Sequence, residues 1–322
     1  MVSQRPPRLD PEALKTFLVV AETRHFSAAA DILHKTTAAI SYRIRALEES
    51  VGTKLFERTT RTVTLTPAGQ LLLERARQIF DWLQTLPDEL QQMNAGVEQN
   101  FTIVINNILY SSEGVATLLN YLYQRFPHTK FAVYRSVYMG VWDTLINRGA
   151  QFAIGSPGWH AVHEDLDTLP IGQINWRLIM HPNHPLVHEP EPLSDGALRR
   201  YPAVNVEDTS ESFRKRTAWN LAGQKEIRVP NQTTKIACHC RGLGIGFLPE
   251  KIAEQYVREG TLVFREPQYG RNPSPMSISW RKTTAGNITS HLCALFKARD
   301  PLIRVFIASV NPLPTDAPSR GD

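Results

Sequence analysis

The segment "HKTTAAISYRIRALEE" (His34–Glu49) decides how the N-terminal quarter of the chain is read. Ile40, Ile44 and Leu47 recur at helical spacing, and Val51 continues the row. At ~100° per residue these positions stay within about 40° of one another. Ala38, Tyr42, Arg45 and Glu49 fall on the opposite side. One apolar stripe predicts a helix seated on a core. Thr36 is placed to cap it, with Thr37 just inside the first turn. A helix whose N-terminus points outward offers the positive end of its dipole to phosphate. Small side chains there let it enter a major groove, where base edges carry a full code. On geometry alone, a DNA-reading helix and an ordinary helix of a bundle are equally good readings.

Two helices precede it. "DPEALKTFLVVAET" offers Asp10 as N-cap, Pro11 at the first helical position, and Leu14, Phe17 and Ala21 on one face. "FSAAADILH" predicts a short second helix capped by Ser27, with Ala29, Ala30 and Leu33 inward. Its small alanines let the next helix cross close by. Gly52 is a helix stop. Leu55 and Phe56, then Val63 and Leu65 alternating with threonines, predict a two-stranded wing tipped by "ERTTR". Arg45 suits a guanine or a phosphate, and Arg58 and Arg61 on the wing suit the flanking backbone or minor groove. From Thr66-Pro67 a long fourth helix begins. Leu72, Ala76, Ile79, Leu83, Leu86 and Leu90 alternate steps of four and three, which is a heptad seam. Pro87 interrupts it and predicts a kink or restart. The preferred partner for the seam is the same helix of a second subunit; packing on its own domain is the alternative.

The 322 residues allow two or three domains. The formal net charge of +5 favours an acidic partner, nucleic acid first. Cys238, Cys240 and Cys293 are too few for a disulfide framework and fit a reducing cytoplasm. No export signal and no apolar run of membrane-spanning length are visible, so a cytoplasmic location without a membrane partner is expected. The Pro-rich, polar ends are expected to be loose.

From Phe101 the texture changes to alternating strands and helices, an α/β pattern with mostly parallel strands. About 210 residues fit one two-lobed domain better than a single sheet. Several local signals are weak. "HPNHPLVH" (His181, His184, His188) is a proline-broken loop rather than a metal site. Cys238 and Cys240 sit two apart on a helix and point apart. "RGLGIG" ends a helix instead of starting one, and Ser156 directly after Gly155 is no nucleophile elbow. No nucleophile set or acid/base pair stands out, so no enzyme activity, metal or cofactor is expected.

Residues 14–69 resemble the winged helix-turn-helix of the LysR-type transcriptional regulators. Leu14 and Phe17 fit its first helix, and Phe26, Ala29, Ala30 and Leu33 its second. Ile40, Ser41, Ile44, Leu47 and Glu48 fit the third, followed by Gly52, Leu55, Phe56, Arg58, Leu65, Thr66, Pro67 and Gly69 at the wing. Many members carry Gln and then Pro or Ser where this chain has Thr37 and Ala38, which implies a different base preference. "INNILY", "YMGVWD", "GQKEI" and "SWRK" resemble the allantoin-operon activator branch of the family. That branch implies control of ureide catabolism, with repression or another small-acid pathway as alternatives.

The resemblance implies a DNA-binding domain at 9–66, a linker and dimerisation helix at 67–94, an effector-binding domain at 95–310 and a flexible tail at 311–322. DNA contacts are expected from Ser27, Thr36, Thr37, Ala38, Ser41, Tyr42, Arg45, Arg58 and Arg61. Dimerisation falls to Leu72, Ala76, Ile79, Leu83 and Leu86. The effector domain resembles periplasmic binding proteins, with lobe one at 101–171 and 266–310, lobe two at 172–265, and crossovers near Ile171-Gly172 and Phe264–Pro267. Ligands of open α/β sheets sit beyond strand C-termini. The candidates there are Asn106, Asn107, Ser136, Tyr138, Gly155, Ser156, Asn205, Glu207, Thr234 and Phe247, a lining suited to a small polar molecule. Promoter DNA, a small effector, RNA polymerase and further copies in a homodimer or homotetramer are the implied partners. An exported solute-binding protein and a non-specific DNA-packaging protein are the rivals; residues 10–66 speak against the first and the large cleft domain against the second.

Overall fold

Asp10 opens the N-terminal unit. Its carboxylate accepts the Glu12 amide (3.3 Å), and α1 (Pro11–Thr23) follows, ended by a left-handed Arg24. A computed structural model describes residues 9–58, 62–216 and 218–313, and the chain divides into two compact units at residues 91/92. In the first unit α2 (Phe26–Ile32) and α3 (Thr37–Val51) pack on α1 through Phe17, Val20, Ala29, Ala30, Ile40, Ile44 and Leu47. The predicted stripe of α3 is therefore its buried face. Ser27 does not cap α2. The extended residue before that helix is His25, while Ser27 already lies inside the first turn, exposed. An N-cap needs non-helical backbone angles, and Ser27 lacks them.

The wing is β1 (Phe56–Arg58) paired antiparallel with β2 (Val63–Leu65). Thr66 then starts α4 (Pro67–Asn94): its hydroxyl donates to the Lys54 carbonyl (2.7 Å) and accepts the Gly69 amide (3.0 Å). Only glycine fits at 69, because a Cβ there would lie 2.1 Å from the Leu55 carbonyl oxygen. α4 runs unbroken through Pro87, so no restart occurs. The carbonyl that proline leaves unbonded belongs to exposed Leu83, where water can satisfy it.

The second unit holds two lobes. Lobe one is built on a five-stranded sheet. β3 (Asn100–Asn106), β4 (Lys130–Ser136) and β5 (Phe152–Pro157) run parallel, linked by α5 (Ser112–Arg125) and α6 (Gly140–Asn147). The chain leaves lobe one along β6 (Leu166–Ile174) and enters β7 (Trp176–Met180). Lobe two continues with α7 (Asp195–Arg199), β8 (Ala203–Val206), β9 (Glu226–Val229), α8 (Gln232–Cys240), β10 (Gly246–Pro249), α9 (Glu250–Arg258) and β11 (Val263–Phe264). Residues 265–273 lead back to β12 (Ser274–Arg281), and α10 (Asn287–Ala298) and α11 (Arg304–Ile307) close the unit. β12 lies between β5 and β6, antiparallel to both, and β7 pairs antiparallel with β10 and β11. The expectation of mostly parallel strands is thus corrected. Among the strands of the described residues, parallel pairing joins only β3–β4, β3–β5 and β8–β9, because β6 and β12 run oppositely as outgoing and returning strands.

Glu48 ties the recognition helix to the wing. Its buried carboxylate accepts the Leu55 amide (2.9 Å), the Phe56 amide (3.3 Å) and the Lys54 ammonium (3.0 Å). Burial alone would raise its pKa, but these donors together hold it below the ordinary value. Its contribution is present above the ordinary carboxyl pKa and is lost as pH falls through the lowered folded value. Glu48→Ala should cost about 2–3 kcal/mol, since it strands two buried amides. Urea unfolding of the N-terminal unit, followed at neutral pH and at pH 3, checks this: the difference between native and variant should shrink in acid.

Candidate DNA interface and effector site

Thr36 caps α3 as the sequence predicts, its hydroxyl accepting the Ala39 amide (3.2 Å). The face opposite the stripe is open. Thr37, Ala38 and Arg45 are exposed, Ser41 is half-buried, and Tyr42 is 76% exposed. Arg45 makes no ion pair or hydrogen bond among the described residues, whereas its neighbour Arg43 is held by Glu12 at 2.8 Å. An arginine left free on an uncovered helix face is available to a partner. Arg58 lies over the Phe26 ring, 4.1 Å from its centre, which steadies the base of the wing. Arg61 lies outside the described residues. Lys35, exposed and directly before the cap, adds a cation near the positive end of α3 that the spacing argument passed over.

The α4 seam is split. Ala76 is buried within its own unit and Leu72 packs against the same core, so Ala76 is withdrawn from the set able to meet a partner. The early turns of α4 form one wall of the N-terminal core, and that use claims its small residue. Further along, Ile79, Trp82, Leu83, Leu90 and Met93 are exposed, and Leu86 is half-buried. Clustered large apolar side chains facing solvent along one helix mark an interaction surface.

The strand-end residues of the second unit divide into two groups. The first gathers at the ends of β3, β4 and β5. Asn106 donates to the Gly155 carbonyl (2.8 Å), and the Asn107 side-chain oxygen accepts the Gln232 backbone amide at the start of α8 (3.4 Å). Ser136 shares a hydrogen bond with Thr144 (3.0 Å). Gly155 has a φ of +84°, and a Cβ there would meet Asn106 and Leu109. The Ser156 hydroxyl is buried without a partner among the described residues. Thr234 sits in the first turn of α8, its amide capped by Asn231 (2.8 Å). These residues bring lobe one's strand ends against α8 of lobe two. The second group serves structure instead. Asn205 donates to the Trp219 carbonyl and to Glu226, and Glu207 pairs with Lys215 beside a cavity of ≈ 130 Å³. Left-handed Tyr138 (φ 48°) packs with Val204 and Val206. Phe247 is withdrawn as a lining residue: it is fully buried in the lobe-two core, edge-on to Trp219. Both faces of β10 are covered, and Phe247 lies on the one that meets Trp219.

A reciprocal clasp that no sequence motif signals joins the lobes. Asp208 of lobe two accepts the Met139 and Gly140 amides at the N-terminus of α6 (3.3 and 3.2 Å), and also those of Ser210 and Arg216. Asp143 of α6 returns the grip, accepting the Glu211 and Ser212 amides (2.7 and 3.2 Å) and the Asn147 side chain. Gly140 lets the segments meet, since a Cβ there would lie 2.0 Å from the Thr209 hydroxyl. Burial opposes ionisation of Asp143, yet Asn147 and the two amides outweigh it and hold its pKa at about 2. No local pattern announces this pair, because the amides each aspartate takes from the other lobe lie some seventy residues away. His184, from the predicted His loop, accepts the Leu186 amide and packs against Tyr201, a structural role.

Asp143→Ala should destabilise the second unit by about 1–3 kcal/mol through its stranded amides. Hydrogen exchange should quicken at Glu211 and Ser212, and in native protein the same protection should fade as pH drops from 3.8 toward 2. Unchanged exchange there would remove the clasp from the account.

Two family models match: the bacterial regulatory helix-turn-helix protein of the lysR family over residues 11–70, and the LysR substrate binding domain over residues 109–301. The chain is 47% identical over 302 residues to the HTH-type transcriptional activator AllS of Salmonella typhimurium, covering 94% of this chain and 98% of that one. It is 51% identical over 255 residues to the protein of the same name from Klebsiella pneumoniae, covering 79% and 94%. Among solved structures, a Corynebacterium glutamicum OxyR C206 mutant shares the fold with a TM-score of 0.58 at 19% identity, covering 95% and 94%. Among the described residues no helix is long and apolar enough to cross a membrane. With its capped, uncovered third helix and its two-lobed second unit, the chain belongs to the LysR family of helix-turn-helix transcriptional regulators.

Proposed function

We propose that this protein is a promoter-specific transcriptional activator of ureide-utilisation genes, controlled by a small polar metabolite bound between the lobes of its second unit. The observation that carries this reading is the near-full-length 47% identity to a transcriptional activator, in a chain whose α3 presents Tyr42 and Arg45 to solvent. α3 enters the major groove with Thr37, Ala38 and Ser41 leading, Arg45 reads a base edge, and Lys35 and Arg58 hold flanking phosphates. The exposed part of α4, from Ile79 to Met93, pairs subunits so that two recognition helices meet half-sites about one DNA turn apart. The effector shifts the lobes between arrangements and so changes how DNA-binding pairs sit on the promoter, where RNA polymerase is recruited. Such a protein works in the cytoplasm, beside the chromosome.

Arg45→Ala should weaken binding to the cognate promoter by about 1–3 kcal/mol while leaving random DNA nearly unaffected. Gel-shift titrations on both DNAs across a salt series check it; equal losses on both would make Arg45 a phosphate contact only. Leu83→Glu should lower the sedimentation mass toward the monomer, because a charge would be buried in the α4 pairing. An unchanged mass would reject that helix as the subunit contact.

A further inference from the structure

Gln232, Lys235 and His239 occupy positions i, i+3 and i+7 of α8 and are all buried. Helix geometry places them on one face. Their neighbours turn elsewhere: Ile236 and Cys240 pack with Leu248 and Ala253, and Cys238 with Val204 and Val206. A polar row thus runs inward along the middle of the helix. Its N-terminal end abuts lobe one, since the Gln232 amide donates to Asn107.

Lys235 is 4% exposed, and its ammonium has no hydrogen-bond or ion-pair partner among the described residues. The Gln232 side-chain amide nitrogen, in the turn below, is likewise buried and unpartnered. The charge acting on Lys235 is another cation. Arg271, on the 265–273 return between the lobes, lies 3.6 Å above the Trp176 ring and also has no acidic partner among the described residues. A buried lysine normally finds an acceptor, because leaving its charge unpaired costs stability. Two cations that feel each other's charge and an unpartnered amide donor thus lie on this side of α8 and the return, and neither cation has a carboxylate partner among the described residues. That is the inverse image of an anion.

We propose that Lys235 is the anion-receiving group of the effector cleft, so that the effector carries a carboxylate, met by Lys235, Arg271 and the Gln232 side-chain amide. This rests on the effector-domain reading above. Burial, and then repulsion from Arg271, bring the Lys235 pKa down to about 7. His239 is held neutral, burial and Lys235 pressing its pKa to about 3, so it adds no competing charge. The other charged groups on elements packed against α8 are spoken for: Arg177 by Glu250 and Glu266, and Arg228 by Glu226. A bound carboxylate raises the lysine pKa, so binding above neutrality takes up a proton. Affinity should then fall by up to about tenfold per pH unit above pH 7.

Calorimetric titration and thermal unfolding of the full-length protein test this with three probes. Allantoin is a hydantoin ring with one ureido group and no charge near neutral pH, allantoate is its ring-opened carboxylate with two ureido groups, and oxamate is a carboxylate without any. Allantoate should bind at least tenfold more tightly than allantoin, with the stated pH dependence. Lys235→Met should raise the melting temperature of the unliganded protein and weaken allantoate at least tenfold. Should that variant fail to fold, Arg271→Gln carries the test, with a smaller but measurable loss of affinity. Lys235→Met, or failing it Arg271→Gln, binding allantoate within twofold of native overturns the receptor, as does allantoin binding as tightly as allantoate. In those cases the ureide reading survives. Lys235-dependent binding of oxamate with no response to either ureide supports the receptor and removes the ureide reading. Silence toward all three overturns both.

Discussion

Glu48, Glu98, Asp143 and Asp208 each set a carboxylate against two or more backbone amides that no ladder or helix satisfies. Glu48 takes those of Leu55 and Phe56, and Glu98 takes those of Gly286, Ile288 and Thr289 at the start of α10. Asp143 and Asp208 take the amides of segments belonging to the opposite lobe. Every helix start and strand end exposes such donors, and burying them unpaired is costly. A carboxylate is the efficient answer, because one group accepts several charge-assisted bonds. The cost of burying the charge is offset only where those bonds converge, which is why Asp143 stays ionised far below its ordinary range.

This device explains where the sequence was legible. Asp10, Thr36 and Gly52 act within three or four residues, and each was readable as a cap or a stop. The stripe of Ile40, Ile44 and Leu47 was readable because helical periodicity is local. The wing followed from Leu55 and Phe56 set before an alternating run. What failed depended on surroundings. Ser27 had the right chemistry for a cap, but the extended backbone came two residues earlier, at His25. Ala76 matched the heptad seam, but the N-terminal core claimed it first. Phe247 stood at a strand end, but both faces of that strand are buried.

The effector cleft was legible as a set of strand ends and illegible as a site. Asn106, Asn107, Ser136 and Gly155 do gather at one edge, yet most of their polar atoms are spent on one another and on the backbone. Lys235 gave the opposite signal. By type it reads as a solvated surface residue, and only its place on the inward row of α8 shows otherwise. A pattern of residue types cannot separate a lysine that faces water from one that faces the junction of two lobes. Contacts between segments far apart in sequence decide that.

The same contacts set what a ligand must do. The lobes meet through directional hydrogen bonds, Asp208 on α6, Asp143 on the 211–212 segment and Asn107 on α8, and a glycine allows the closest approach. Directional bonds between lobes break as a group when the segments shift by little more than an ångström, because their strength falls steeply with misalignment. Such a junction favours discrete arrangements over continuous flexing. A ligand biases it only by interacting differently with each arrangement. On the proposal made for Lys235, unpaired positive charge near Arg271 is what supplies that difference, because a bound anion turns a repulsion into an attraction. An effector that carries the opposite charge would then favour one arrangement of the lobes over the other, which is the condition any signal from this domain has to meet.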